Sequence, residues 1–225
     1  MTRRALGIVL VVAGLLTLAD AGLTVVWKEP LTALRERGAQ HELRRELRAV
    51  RLAVPAARVR AGAQEALASV ARRAAGERRD GRALGELRIP RIGVDVVALT
   101  SARPQDLRRG PGLIAPSTVP GRGRTTALAG HRTTYGAPFR HVDALRRGDP
   151  VLLSTAYATF RYTVASRRIV DPGDVGVLAD HGRDRLVLTA CHPLFSAARR
   201  IVVVARLTSV QRSASPLKRS ASDAR

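Results

Sequence analysis

One cysteine occurs in 225 residues, and it stands in Leu186-Val-Leu-Thr-Ala-Cys191-His-Pro, at the end of an apolar run and just before a proline. A single thiol excludes an internal disulfide. In an exported chain it is an odd cysteine, either intermolecular or reactive; the plain alternative is a small buried hydrophobe. Strand alternation sets Leu186, Leu188 and Ala190 on one face and Val187, Thr189 and Cys191 on the other. The thiol is thereby taken off the face expected to be core.

The next apolar run has the same phase, with Ile201, Val203, Ala205 and Leu207 facing one way. If strand geometry reaches back one residue, Arg200 shares the cysteine's face and Arg199 does not. A short connection between the runs makes a hairpin that brings Arg200 to Cys191. A cation there lowers a thiol's pKa from about 8.5 and raises its reactivity.

His131 ends a third run, Thr125-Thr-Ala-Leu-Ala-Gly-His131. A cysteine with a histidine supplies a nucleophile and a proton donor or acceptor, the minimum for acyl transfer through a thioester. Of the other histidines, His41 lies in a charged segment, and His141 and His181 have no partner pattern. His192 adjoins the cysteine but points the opposite way along a strand, which makes it a poorer general acid. One cysteine with scattered histidines has no metal-ligand spacing, and neither a metal nor a cofactor is expected.

The elements that must position these residues lie after about Gly85. Short β-type runs at Ile89–Ile92, Val94–Leu99, Thr125–Ala129, Val151–Ser154, Phe160–Val164, Leu186–Thr189 and Ile201–Leu207 are separated by Pro/Gly/Asp turns, the pattern of a closed barrel or sandwich. A short helix is expected within Thr134–Leu145. The scarcity of aromatics, 3% against 45% apolar residues, predicts an aliphatic core. From 209 to 225 the chain is polar and reads as a disordered tail.

Before the barrel come two other segments. Residues 1–27 form a basic flank and an apolar run, Ala5 to Trp27, broken only by Asp20. About 20 apolar residues span a bilayer, and Arg3 and Arg4 favour an N-in orientation with the rest of the chain outside. Ala19-Asp20-Ala21 offers a competing reading as a signal-peptide cleavage site; both readings export the domain, and the continued apolar run favours a retained anchor. Residues 28–85, rich in Ala, Leu, Arg and Glu with i,i+4 charge pairs, read as a charged helical or partly disordered stalk.

The net charge of +21 does not make a nucleic-acid protein. The arginines are spread along the whole chain and lack interleaved aromatics on which bases could stack. Attraction to an anionic envelope surface fits the charge better.

The block Ala129-Gly-His-Arg-Thr-Thr-Tyr-Gly-Ala-Pro-Phe139, followed 60 residues after its histidine by Leu188-Thr-Ala-Cys-His-Pro-Leu-Phe-Ser-Ala-Ala-Arg-Arg200, is similar to the sortases of Gram-positive bacteria. It looks most like the class E housekeeping sortases of actinobacteria, over roughly Leu87 to Leu207. One departure is Leu-Thr-Ala-Cys where the usual motif reads Leu-Thr-Thr-Cys. The resemblance implies an eight-stranded β-barrel spanning 86–208 and a catalytic trio His131, Cys191 and Arg200. It implies a thiolate that cleaves a Leu-Pro-X-Thr-Gly or Leu-Ala-X-Thr-Gly sorting signal between Thr and Gly. A peptidoglycan-precursor amine then accepts the Thr. Tyr135 and Thr189 are expected to line the substrate groove. The competing readings are a pilin-polymerising sortase, for which no second apolar span and no Asp-Pro-aromatic lid is seen, and a non-enzymatic, membrane-tethered basic interaction module.

Overall fold

The computed structural model of the chain describes residues 2–26, 30–53, 63–76 and 79–212. Eight strands close a barrel in the order β1-β2-β3-β4-β7-β8-β6-β5. They are β1 (Ala83–Ile89), β2 (Val94–Leu99), β3 (Gly112–Leu113), β4 (Thr125–Ala129), β5 (Pro150–Thr155), β6 (Ala158–Val170), β7 (Arg185–His192) and β8 (Arg199–Arg212). Period-2 alternation sends Leu87 and Ile89, Val151 and Leu153, Leu186 and Leu188, and Ile201, Val203 and Ala205 into the interior. The core is not purely aliphatic, because Phe139, Phe160 and Tyr162 are among its largest fully buried side chains. A few aromatics fill the volume that small aliphatics leave.

The strands differ from the sequence expectation where proline and pairing intervene. Ile89–Ile92 is not a strand: β1 ends at Ile89, and Pro90 opens a 3-10 turn closed by Gly93 in the left-handed region. The helix expected within Thr134–Leu145 is a single 3-10 turn, Val142–Ala144. The polar tail begins later than expected. Residues through Arg212 continue β8 and pair with β6, Ala158 opposite Arg212; the rest of the tail lies outside the described residues. Main-chain pairing holds this stretch although its side chains are polar.

The described parts of 28–85 do not stand free of the barrel. Helix α2 (Pro30–Ala53) lies against β1 and β2, and its thin apolar stripe, Leu43 and Leu47, is buried with Val97 and Leu99. β2 meets β3 at only one residue pair, Leu99 with Gly112, which leaves the main chain of Val97 to find other partners. The Gln40 side chain supplies them: Val97 N donates to its Oε1 at 2.6 Å, and its Nε2 donates to Val97 O at 3.0 Å and Arg109 O at 2.7 Å. Arg44 reaches Glu86 and Asp95, and Arg51 donates to Ser154 O. Helix α3 (Ala63–Gly76) buries Ala71 in the barrel core, with Leu67 packed beside it. A four-residue helix, α4 (Pro104–Leu107), joins β2 to β3.

Helix α1 (Thr2–Val26) begins the chain, and its described side chains run from 5 to 18. Nine large apolar ones among them, from Leu6 to Leu18, are exposed. Among the described residues no helix is long and apolar enough to cross a membrane.

The docking of α2 predicts that Leu43→Ala destabilises the barrel by about 2–5 kcal/mol, the cost of a buried leucine truncation. Urea unfolding of the full chain, followed by circular dichroism, measures it. An undocked stalk would show no loss.

Candidate active site

The site is assembled at the ends of three adjacent strands. β7 and β8 form the expected hairpin, and Cys191 and Arg200 are directly opposed in it. Directly opposed residues of an antiparallel pair put their side chains on the same face. Cys191 is half-buried, while Ala190 and Leu188 beside it point into the core. β4 runs parallel to β7 with a constant offset of 60 residues, from Thr125 opposite Arg185 to Ala129 opposite Thr189. Gly130 N donates to Thr189 O at 3.1 Å and extends the contact. The strand pairing ends at Ala129 and Thr189, two residues before His131 on one strand and two before Cys191 on the other.

Cys191 shares the outer face of these strands with Val187 and Thr189. A small apolar cluster of Ala127, Val187 and Val202 is covered there by Val177. The covering segment is tied down by Arg185, which donates to Val177 O and Ala179 O, and by the Arg124–Asp180 pair. Thr189 is half-buried on that face, two residues before the thiol.

Each candidate residue has a definite place. Arg200 is partly buried, and its Nη1 donates to Ala197 O at 2.9 Å and Arg199 O at 3.0 Å. Arg199 is exposed, opposite His192, and pairs with Asp171 at 3.3 Å. The arginine that shares the cysteine's face is therefore Arg200. Tyr135 packs its ring 5.1 Å from that of His131, and the Arg108 guanidinium sits 5.8 Å from the tyrosine centroid. Burial, with the Arg108 charge adding to it, holds the His131 imidazolium below the usual histidine range.

The loop after His131 is sharply turned. Tyr135, Gly136 and Ala137 have φ of 50°, 69° and 44°, a left-handed run that is costly for the two residues with a Cβ. Close packing accompanies it. A Cβ on Gly130 would come within 2.6 Å of the Phe139 ring, and one on Gly136 within 2.7 Å of the Glu36 carboxylate of α2. Phe139 N donates to His131 O at 2.9 Å and closes the loop on itself.

Comparison with known proteins identifies the family. A sortase-domain profile matches residues 87–208, more than half of the chain. This chain belongs to the sortase family. Sortase D of Bacillus subtilis is 32% identical over 114 residues, which cover 50% of this chain and 56% of that protein. The crystal structure of Sortase E1 from Streptomyces coelicolor, with a tripeptide in its active site, is 27% identical at a TM-score of 0.56, covering 59% of this chain and 91% of the other. Sortase E from Streptomyces avermitilis is 31% identical at a TM-score of 0.53, over 60% and 93% of the two chains. The resemblance to class E sortases is thus met by named class E relatives. The chain spans about half the length of the curated Sortase D it matches.

Three residues that sequence reasoning did not single out pack against this candidate site. Arg132 is almost fully buried beside His131, and Nη1 lies 3.3 Å from both Cys191 O and His192 Nδ1. Arginine can only donate, so Nδ1 of His192 accepts, and that atom has no proton to give. Arg108 and Glu36 reach the loop after His131 from α4's end and from α2. In a chain with 37 arginines nothing marks Arg108 or Arg132 as special; only Arg132's place next to His131 could have drawn notice. Among the described residues no cluster could hold a metal ion.

Strand register predicts that Arg200→Ala lowers peptide turnover by at least about tenfold, as expected when a transition-state donor is lost. Arg199→Ala should stay within about twofold of the parent, like an exposed ion pair of little worth. Steady-state rates of the two single variants decide between them.

Proposed function

We propose that the chain is a membrane-anchored cysteine transpeptidase that cleaves a Leu-Pro-X-Thr-Gly or Leu-Ala-X-Thr-Gly sorting signal between Thr and Gly. The observation that carries this reading is the register: Cys191 directly opposes Arg200, and the β4–β7 pairing ends at Ala129 opposite Thr189, two residues before His131 and Cys191. The tripeptide seen in the active site of the Streptomyces coelicolor relative supports a peptide substrate.

In the proposed reaction the Cys191 thiolate attacks the threonine carbonyl carbon. Arg200, anchored by the β7–β8 loop carbonyls, offers charge and donors to the developing oxyanion. The C–N bond then breaks, and His131 protonates the leaving glycine amine. An imidazolium disfavoured by burial and by Arg108 gives up its proton readily, which suits this step. A thioester remains on Cys191. An amine of a peptidoglycan precursor attacks it, loses a proton to His131, forms a new amide and releases the thiolate. Thr189 lines the groove floor two residues from the thiol, and Tyr135 borders the groove through its contact with His131.

The anchor is placed on the apolar run Ala5–Trp27 of the sequence. Its described part, residues 5–18, exposes nine large apolar side chains that lipid would cover, and the remaining apolar residues would bring the run to the length a bilayer needs. Arg3 and Arg4 keep the N-terminus in the cytoplasm and place the barrel outside.

The test uses the full chain in detergent or nanodiscs with quenched peptides of both motifs and an added amine. Turnover with a Thr–amine product is expected, and Cys191→Ala should abolish it. Equal turnover by Cys191→Ala would end this reading. A second expectation concerns pH. Removing the Arg108 charge relieves repulsion on the imidazolium, so Arg108→Ala should raise the His131 pKa towards its ordinary value. The midpoint of the His131 imidazole titration, followed by NMR in the two proteins, would move to higher pH in Arg108→Ala; an unchanged midpoint would remove Arg108 as a cause.

A further inference from the structure

We infer that Arg132 is the positioning residue of this site: a buried guanidinium that fixes the distance between His131 and Cys191. This rests on the roles proposed above for those two residues. Arg132 follows His131 directly, so backbone alternation turns it away from the groove and under the loop. Its side chain is only 2% exposed. Nε and Nη2 both donate to Arg140 O, at 3.3 and 3.2 Å, and clamp the far end of the loop that His131 begins. Nη2 also pairs with Asp143 at 3.0 Å. Nη1 crosses to the other strand and donates to Cys191 O at 3.3 Å, with His192 Nδ1 at the same distance.

One planar group therefore joins the two segments that carry the nucleophile and the acid. β4 ends at Ala129, so sheet pairing does not hold His131 directly. The arginine fork takes over beyond the last strand residue. The main-chain carbonyl it grips belongs to the nucleophile itself, so a shift in Arg132 moves the Cys191 peptide as well as the loop. Lysine carries the same charge but lacks the fixed fork, and it cannot serve Arg140 O, Asp143 and Cys191 O together. A buried cation with one half-exposed carboxylate partner is also costly. Its retention beside the catalytic loop fits a geometric role better than a stabilising one.

The experiment compares Arg132→Lys, Arg132→Ala and Asp143→Asn in the full chain. Turnover of a sorting peptide, the pH dependence of Cys191 alkylation by iodoacetamide and the thermal midpoint are followed together. Expected for Arg132→Lys is a kcat reduced about a hundredfold with KM within about threefold, the size of effect that an ångström of misplacement produces. The folded fraction should be unchanged and alkylation should stay at the parental rate, since the thiol survives but its alignment with His131 does not. Asp143→Asn, at an exposed residue, should lose less, about three- to tenfold in kcat. Wild-type kcat in Arg132→Lys would overturn the inference. So would a loss of activity that only tracks the unfolded fraction across the three variants. Cys191→Ala distinguishes the failures: if it turns over peptide as well as the parent does, the transpeptidase reading has failed and not the role of Arg132 alone.

Discussion

Strand register is the constraint on which the site depends. β7 lies between β4 and β8, parallel to one and antiparallel to the other, so its last residues face the ends of both neighbours. Pairing Cys191 with Arg200 needs no loop to be placed correctly; the ladder sets it. A slip of one residue in β8 would carry Arg200 to the barrel interior and bring Val203 out of it. The buried alternation of Ile201, Val203 and Ala205 forbids that slip, because three core side chains would become exposed together. The packing of the barrel and the pairing of Cys191 with Arg200 are one structural fact.

The unusual charge has a structural side. Acidic residues are scarce, and many guanidinium groups are satisfied by main-chain carbonyls instead. Arg51 donates to Ser154 O, Arg109 to Gly81 O, and Arg185 to two carbonyls of the segment that covers β4 and β7. Such bonds tie loops and helices to strands without a carboxylate partner. Arginine suits this work because its donors diverge in one plane and can hold two segments at once. A high arginine content thus replaces some of the side-chain cross-linking that acids provide elsewhere.

Much of this was legible in the sequence. The phase of Leu186–Cys191 and of Ile201–Leu207 gave the face of the thiol, and the choice of Arg200 over Arg199 followed from it. Val94–Leu99 and Thr125–Ala129 were readable to the residue, because short β-branched runs end at clear turns. The two-residue β3 carried no periodicity and was invisible. β8 ran past Thr208 because pairing with β6 outweighs polar side chains. The docking of α2 was hidden for a different reason: two leucines and a glutamine make a weak stripe, and their value comes from an edge on β2 that no local pattern reveals. The burial of Arg132 belongs to the same class, since tertiary contacts chose it from among many equivalent arginines.

Three residues separate the end of α1 from the start of α2, and α2 is fastened to the barrel along its length. Three residues extend at most about 10 Å. The barrel is therefore joined to α1 by a short arm and not by a leash. With α1 inside the proposed anchor, that arm would hold Cys191 within a narrow band of heights, whereas a long flexible linker lets a tethered domain search a wide shell at low local concentration.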